Sequence, residues 1–133
     1  MQIRNAETAD IQAIHSLLSA CGWGHRLGDV NHLSRLISAS QRAVVAEINN
    51  EIVGFVRGIT DGLSNGYVSM VAVAELHRGQ GIGRTLVEAL IEPAHEITWV
   101  LRAGRVGAAE FFAKLGFTSS TIAMERPRTQ VIN

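Results

Sequence analysis

The chain has 133 residues, 47% of them apolar and 18% charged, which fits a single packed domain over 1–133 on a scale of ~100–200 residues per domain and argues against global disorder. Twelve basic side chains balance twelve acidic ones; a nucleic-acid backbone as main partner is therefore not expected, because phosphate binding shows as a basic excess. Cys21 is the single cysteine and cannot build a disulfide framework. With no leader-like start and no apolar run near the ~20 residues of a membrane span, a cytoplasmic protein without membrane partners is expected.

Ile3 and Arg4 begin a short extended segment, after which Thr8 or Asp10 can cap a helix running to about Ala20, with Ile11, Ile14, Leu17 and Leu18 on one face. Cys21-Gly22-Trp23-Gly24-His25 is read as a break, since two glycines flank the tryptophan. A second amphipathic helix carries Val30, Leu33, Leu36 and Ile37. Two strands follow, at 43–46 and 52–56, joined by Asn49-Asn50, a pair suited to a tight hairpin turn. Residues 60–66 form a loop in which Asp61 bonds its own backbone. The segment Tyr67-Val-Ser-Met-Val-Ala-Val73 is apolar almost throughout and reads as a central strand. A helix then carries Leu86, Val87, Leu90 and Ile91 and ends at Pro93; a strand spans 97–102; a helix at 108–115 closes on Gly116; a last short strand lies at 120–125. The order β-α-α-β-β-β-α-β-α-β describes an α+β domain, a mixed sheet with helices on its faces.

The segment Arg78-Gly79-Gln80-Gly81-Ile82-Gly83-Arg84 joins the central strand to the following helix. Glycines let successive N–H groups converge and remove side chains that would hold a ligand away, while a helix start adds unpaired donors and partial positive charge. Arg78 and Arg84 flank the turn. Such a turn suits a pyrophosphate. No lysine follows the glycines as a P-loop requires, and neither the third glycine nor the later acidic residue of a dinucleotide fingerprint is in place.

Arg-x-x-Gly-x-Gly after Val71-Ala72-Val73 resembles the acetyl-CoA-binding motif of the GCN5-related N-acetyltransferase (GNAT) family, and Ala108-Ala-Glu-Phe-Phe-Ala-Lys-Leu-Gly-Phe117 resembles its second signature. The resemblance implies a mixed, mostly antiparallel sheet splayed at its fourth strand and flanked by about four helices, an α/β three-layer sandwich. It implies acetyl-CoA as co-substrate, no metal, and transfer to a primary amine of a small molecule by direct attack in a ternary complex. Val71, Ala72 and Val73 would pair with the pantetheine arm, with a backbone N–H near Val71 stabilising the oxyanion. The amides from Gly79 to Arg84 would hold the pyrophosphate, with Phe111 and Phe112 near the thioester and Lys114 near the outer part of the cofactor. Homodimers are common in the family, and a short C-terminus allows strand exchange between subunits.

Phe112 stands where the family often has a tyrosine that protonates the leaving thiolate, and Tyr67, Val68, Ser69 and Met70 stand where many members have a carboxylate base. A non-catalytic acyl-CoA sensor, or acetylation of a protein N-terminus or lysine, are the alternatives. Glu47 and His25 are the weak candidates for the base, and Trp23, His25 and Tyr67 for the acceptor pocket. Glu47 is equally an exposed strand-end carboxylate, His25 a surface residue, Trp23 a hydrophobic plug, His77 a packing residue and Cys21 a small buried hydrophobe. His15, His32 and His95 have no metal-ligand spacing.

Overall fold

The structure is a computed structural model describing residues 1–92 and 95–129. Pro93, the expected end of a helix, lies outside them. The chain forms two compact units, one ending at Arg102 and the other beginning at Ala103.

In the first unit five strands lie in sequence order: β1 (Gln2–Asn5), β2 (Arg42–Ile48), β3 (Glu51–Thr60), β4 (Asn65–Val73) and β5 (Thr98–Val100). All neighbours are antiparallel except β4 and β5, which are parallel. The sheet is thus mixed and mostly antiparallel, as expected. Its helices are α1 (Ile11–Leu18), α2 (Gly24–Leu27), α3 (Val30–Ser38) and α4 (Ile82–Ile91).

Alternation along the strands sorts the core into two layers. Ile14, Leu18 and Leu33 from α1 and α3 pack with Val45, Phe55, Met70 and Ala72. A fully buried side chain of this kind contributes about 1.5–3 kcal/mol. On the opposite face α4 meets glycines: a Cβ at Gly54 would fall 2.7 Å from Leu86 Cδ1, and one at Gly58 3.1 Å from Leu90 Cδ2. The absent side chains let α4 lie close on β3, completing a three-layer sandwich.

Local chemistry explains where the first helix begins. Neither Thr8 nor Asp10 caps it in the expected way. A short 3-10 turn precedes α1, and the Asp10 carboxylate accepts the Glu7 amide at 2.8 Å. Asp10 also takes Arg4 in two bonds of 2.7 and 2.9 Å, and Arg4 reaches Glu47 at 3.2 Å. This ties β1 to the start of α1 and the end of β2.

The expected break at 21–25 is also corrected. Only Gly22 leaves helical geometry, at φ +89°, within a wide π-type turn at Ser19–Trp23. Gly24 returns to helical angles and starts α2. One glycine absorbs the distortion, so the second need not. The Asn49-Asn50 hairpin forms as expected, with both residues at positive φ.

The expected strand at 97–102 is shorter, covering three residues. The second unit contains α5 (Ala108–Ala113). Gly116, at φ +93°, closes the turn after it, with Gly116 N–H donating to Ala113 O at 3.1 Å and Phe117 N–H to Phe112 O at 3.1 Å. Phe112 packs edge-on against Phe111 and Phe117, with ring centroids 4.9 and 5.6 Å apart. The expected strand at 120–125 is absent. Ser120 Oγ accepts the amides of Ile122 and Ala123 at 3.2 and 2.9 Å, which bends the chain before a strand can start.

Candidate functional site

The first feature of the site is an interruption in β4. Phe55 pairs with Ala72 and Arg57 with Ser69, so Met70 and Val71 together stand opposite Val56. This is a β-bulge, and Met70 takes a left-handed conformation at φ +57° to make it. The Met70 side chain is buried in the α1–α3 layer, and that burial offsets the cost of the left-handed backbone. Before the bulge, Asn65, Gly66 and Tyr67 pair with β5. Beyond Tyr67 the pairing to β5 ends, so the strand leaves its neighbour on that side. Ala74 N–H donates to Val53 O at 2.8 Å. Backbone groups alternate along a strand, so Ala72 and Ala74 turn toward β3 and Val73 between them turns toward the open edge.

The second feature is the turn that follows. Gly79 and Gly81 both adopt positive φ, +79° and +80°, which only glycine takes at no cost. A Cβ built at either would meet nothing within 4 Å. Gly81 is the N-cap of α4, and the first bond across that cap runs from Thr85 N–H to Gly81 O at 3.0 Å. The amides of Ile82, Gly83 and Arg84 precede that bond and so have no helical carbonyl to meet. Their donors and the positive end of the helix dipole face the same open turn.

The side chains around this turn are placed as follows. Arg78 folds back, its Nε donating to Val73 O at 2.9 Å and its Nη2 lying 3.6 Å from Cys21 Sγ. Cys21 Sγ is itself 3.6 Å from Val73 O. The arginine thus holds the strand end and the turn together. Arg84 pairs with Glu88 one helical turn on, at 2.8 Å. Gln80 is exposed.

The remaining candidates are dispersed. Glu47 is at the end of β2, two strands from β4, with its carboxylate held by Arg4. His25 is exposed on α2, and Trp23 is half-buried against the α1–α3 core layer. Tyr67 is half-buried on β4, opposite Ile59 and beside Val100. Phe111, Phe112 and Lys114 belong to the second unit; Phe112 is buried and Lys114 exposed. Among the described residues no three His, Cys, Asp or Glu side chains cluster to hold a metal, and no helix is long and apolar enough to cross a membrane.

Sequence reasoning missed Arg57, a buried arginine on β3. Its signal was a lone cation inside an otherwise apolar strand run, Ile-Val-Gly-Phe-Val-Arg-Gly-Ile.

Comparison with known proteins agrees with this geometry. The model of the acetyltransferase (GNAT) domain family matches residues 39–119, which contain the hairpin, the bulged strand, the glycine turn and α5. An L-2,4-diaminobutyric acid acetyltransferase from Methylotuvimicrobium alcaliphilum is 30% identical over an alignment covering 80% of this chain and 77% of that protein. Among solved structures, a putative GNAT-family acetyltransferase from Xanthomonas campestris pv. campestris has a TM-score of 0.80 at 23% identity, covering 96% of this chain and 94% of the other. A ribosomal-protein-alanine N-acetyltransferase from Brucella melitensis biovar Abortus 2308 has a TM-score of 0.76 at 22% identity, covering 97% and 99%. The two structures share the fold; the family model and the diaminobutyrate enzyme extend the likeness to sequence. A bulged fourth strand running into an open glycine turn at a helix start, within a matched family sequence, makes this chain a member of the GNAT acetyltransferase family.

Proposed function

We propose that the protein transfers an acetyl group from acetyl-CoA to a primary amine of a small molecule. The observation that carries this reading is the open turn at Gly79–Gly81 at the start of α4. The turn fits a pyrophosphate: no side chain fills it, and the amides of residues 82–84 have no helical acceptor. Residues 79–84 would hold the pyrophosphate, and the β4 edge at Val73 would lie along the pantetheine arm, with Arg78 giving up its bond to Val73 O. A neutral amine brought beside the thioester carbonyl attacks it, the N–C bond forms as the C–S bond breaks, and CoA leaves as a thiolate that takes up, through solvent, the proton the nitrogen loses; the chain's main contribution is alignment of the two reactants. The small-molecule acceptor is supported by the relative that acts on L-2,4-diaminobutyric acid.

A second reading is favoured by two specific features. Phe112 has no proton to give, and Tyr67-Val68-Ser69-Met70 has no carboxylate to accept one. Both suit an acyl-CoA sensor. Incubation of the protein with acetyl-CoA and a panel of primary amines, with free thiol followed over time, separates the two. Amine-dependent thiol release supports the transferase; tight binding of acetyl-CoA with no release across the panel contradicts it and supports the sensor.

A further inference from the structure

Val73 O is the acceptor that the β4 edge presents to a pantetheine amide, and the chain itself occupies both of its lone pairs. Arg78 Nε donates to it at 2.9 Å, and the Cys21 thiol donates at 3.6 Å. Arg78 Nη2 in turn donates to Cys21 Sγ at 3.6 Å, which closes a ring of three bonds over the end of β4. The sheet makes no claim on this carbonyl. Ala74 N–H turns inward to Val53 O at 2.8 Å, so Val73 beside it faces the other way. An incoming N–H can bond Val73 O only by displacing one of its two donors.

The two donors are held differently. Cys21 belongs to the wide turn at Ser19–Trp23 and packs against the α1–α3 core layer. Arg78 is exposed, and no carboxylate pairs with it among the described residues. Its backbone is fixed, because Arg78 N–H donates to Glu75 O at 3.3 Å where the short 3-10 turn Glu75–His77 ends. A change of partner therefore needs only rotation of the side chain. Arg78 also opens the glycine turn: Gly79 follows it directly, and the amides of residues 82–84 have no helical acceptor there. A diphosphate seated in that turn presents anionic oxygens in bidentate geometry. Those are stronger partners for a guanidinium than a neutral carbonyl and a thiol.

We propose that Arg78 is a latch that couples the two halves of coenzyme A: it blocks Val73 O against pantetheine until an anion in the Gly79–Gly81 turn draws the guanidinium off. The protein then takes a pantetheine arm tightly only when the arm arrives joined to a diphosphate. Resting on the acetyl-CoA reading above, the latch adds how that site selects its donor and rejects pantetheine and its unphosphorylated thioesters. The coupling is reciprocal, so whatever factor the anion gives pantetheine, pantetheine gives the anion.

Calorimetry on the intact chain, with CoA divided into pantetheine and ADP, tests it. The wild type should bind pantetheine roughly 10-fold more tightly with saturating ADP than without, the equivalent of one arginine hydrogen bond that the ligand no longer has to break. Arg78→Met keeps a long side chain but has no donor. It should bind pantetheine without ADP roughly 10-fold more tightly than the wild type does, and ADP should add nothing further. The coupling is a ratio within one protein, so it does not depend on how much of a variant folds. An Arg78 that only braces the turn would give the opposite result, weaker pantetheine binding in Arg78→Met. That weakening, a wild-type affinity for pantetheine that ADP does not raise, or coupling that survives in Arg78→Met would overturn the latch while leaving the CoA site standing. No binding of CoA itself by the wild type would overturn the cofactor reading, and the latch with it.

Discussion

Gly79 and Gly81 do the same work from neighbouring positions. A Cβ at either would meet no protein atom within 4 Å, so packing against the chain is not what keeps these positions bare. Gly81→Val should cost the fold at least the ~1–2 kcal/mol of a left-handed backbone, which a β-branched residue strains further. Its affinity for CoA should fall by at least roughly 10-fold for a lost phosphate contact; thermal melting and calorimetry on the same sample separate the two effects. Arg4 acts at the same scale on stability alone. Removing it in Arg4→Met leaves the buried Asp10 carboxylate without its ion pair, at an expected cost of about 1–2 kcal/mol in denaturant unfolding, since the pair is partly exposed.

The carboxylates also set the response to acid. Arg4 holds Asp10 below its ordinary pKa, and the amides of Ser64 and Leu63 hold Asp61 well below. Both groups therefore release protons more readily in the folded chain than in the unfolded one. Their contribution is present above the unfolded pKa of about 4 and is lost as pH falls through the lower folded values. Melting temperature should hold between neutral pH and about 5, then fall in acid. Asp61→Asn should melt lower at neutral pH and lose stability less steeply below pH ~4. An unchanged acid slope would mean that the 61–65 turn does not depend on the charge.

Among elements, β4 decides the site. Its first three residues pair with β5, and its last residues do not, because Met70 adds a residue opposite Val56. Gly66 keeps the paired half in place, since a Cβ there would collide with the ring of Trp99 on β5. Gly66→Ala should destabilise the chain by about 1–3 kcal/mol through overpacking and should weaken CoA binding less than Gly81→Val does, because the turn is untouched. Turns and caps whose conformation is fixed by one or two residues were legible in the sequence: Asn49-Asn50, Gly116, Asp61 and Gly79 with Gly81, whereas Gly83, read as part of the same turn, lies inside α4. Features settled by competition between neighbours were not. Ser120 captures two amides that a strand would need, Gly22 absorbs a distortion assigned to two glycines, and Asp10 turns back to Glu7 instead of capping forward. Arg57 was hidden for a different reason: nothing in its own segment shows that Ser40 and Ser69, 17 and 12 residues away, converge on it.

At the scale of the molecule, the proposed site of this neutral chain is built from backbone rather than from a charged patch. The three-layer sandwich fixes β4 between two packed faces, the bulge frees the end of that strand, and α4 starts where the strand's chain re-emerges. On the acetyl-transfer proposal, Phe112 stands where the family resemblance implies a proton donor, and protonation of the thiolate would fall to water. Phe112→Tyr should then raise the turnover of an active enzyme if thiolate departure limits the rate; an unchanged rate would show that solvent suffices.

Calorimetric titration of the intact chain with CoA probes the grip on the diphosphate most directly. Saturable binding at one site per chain, strongly weakened in Gly81→Val while melting shows the variant folded, is the predicted result. Absence of binding by the wild type, or equal affinity in the two proteins, would contradict it.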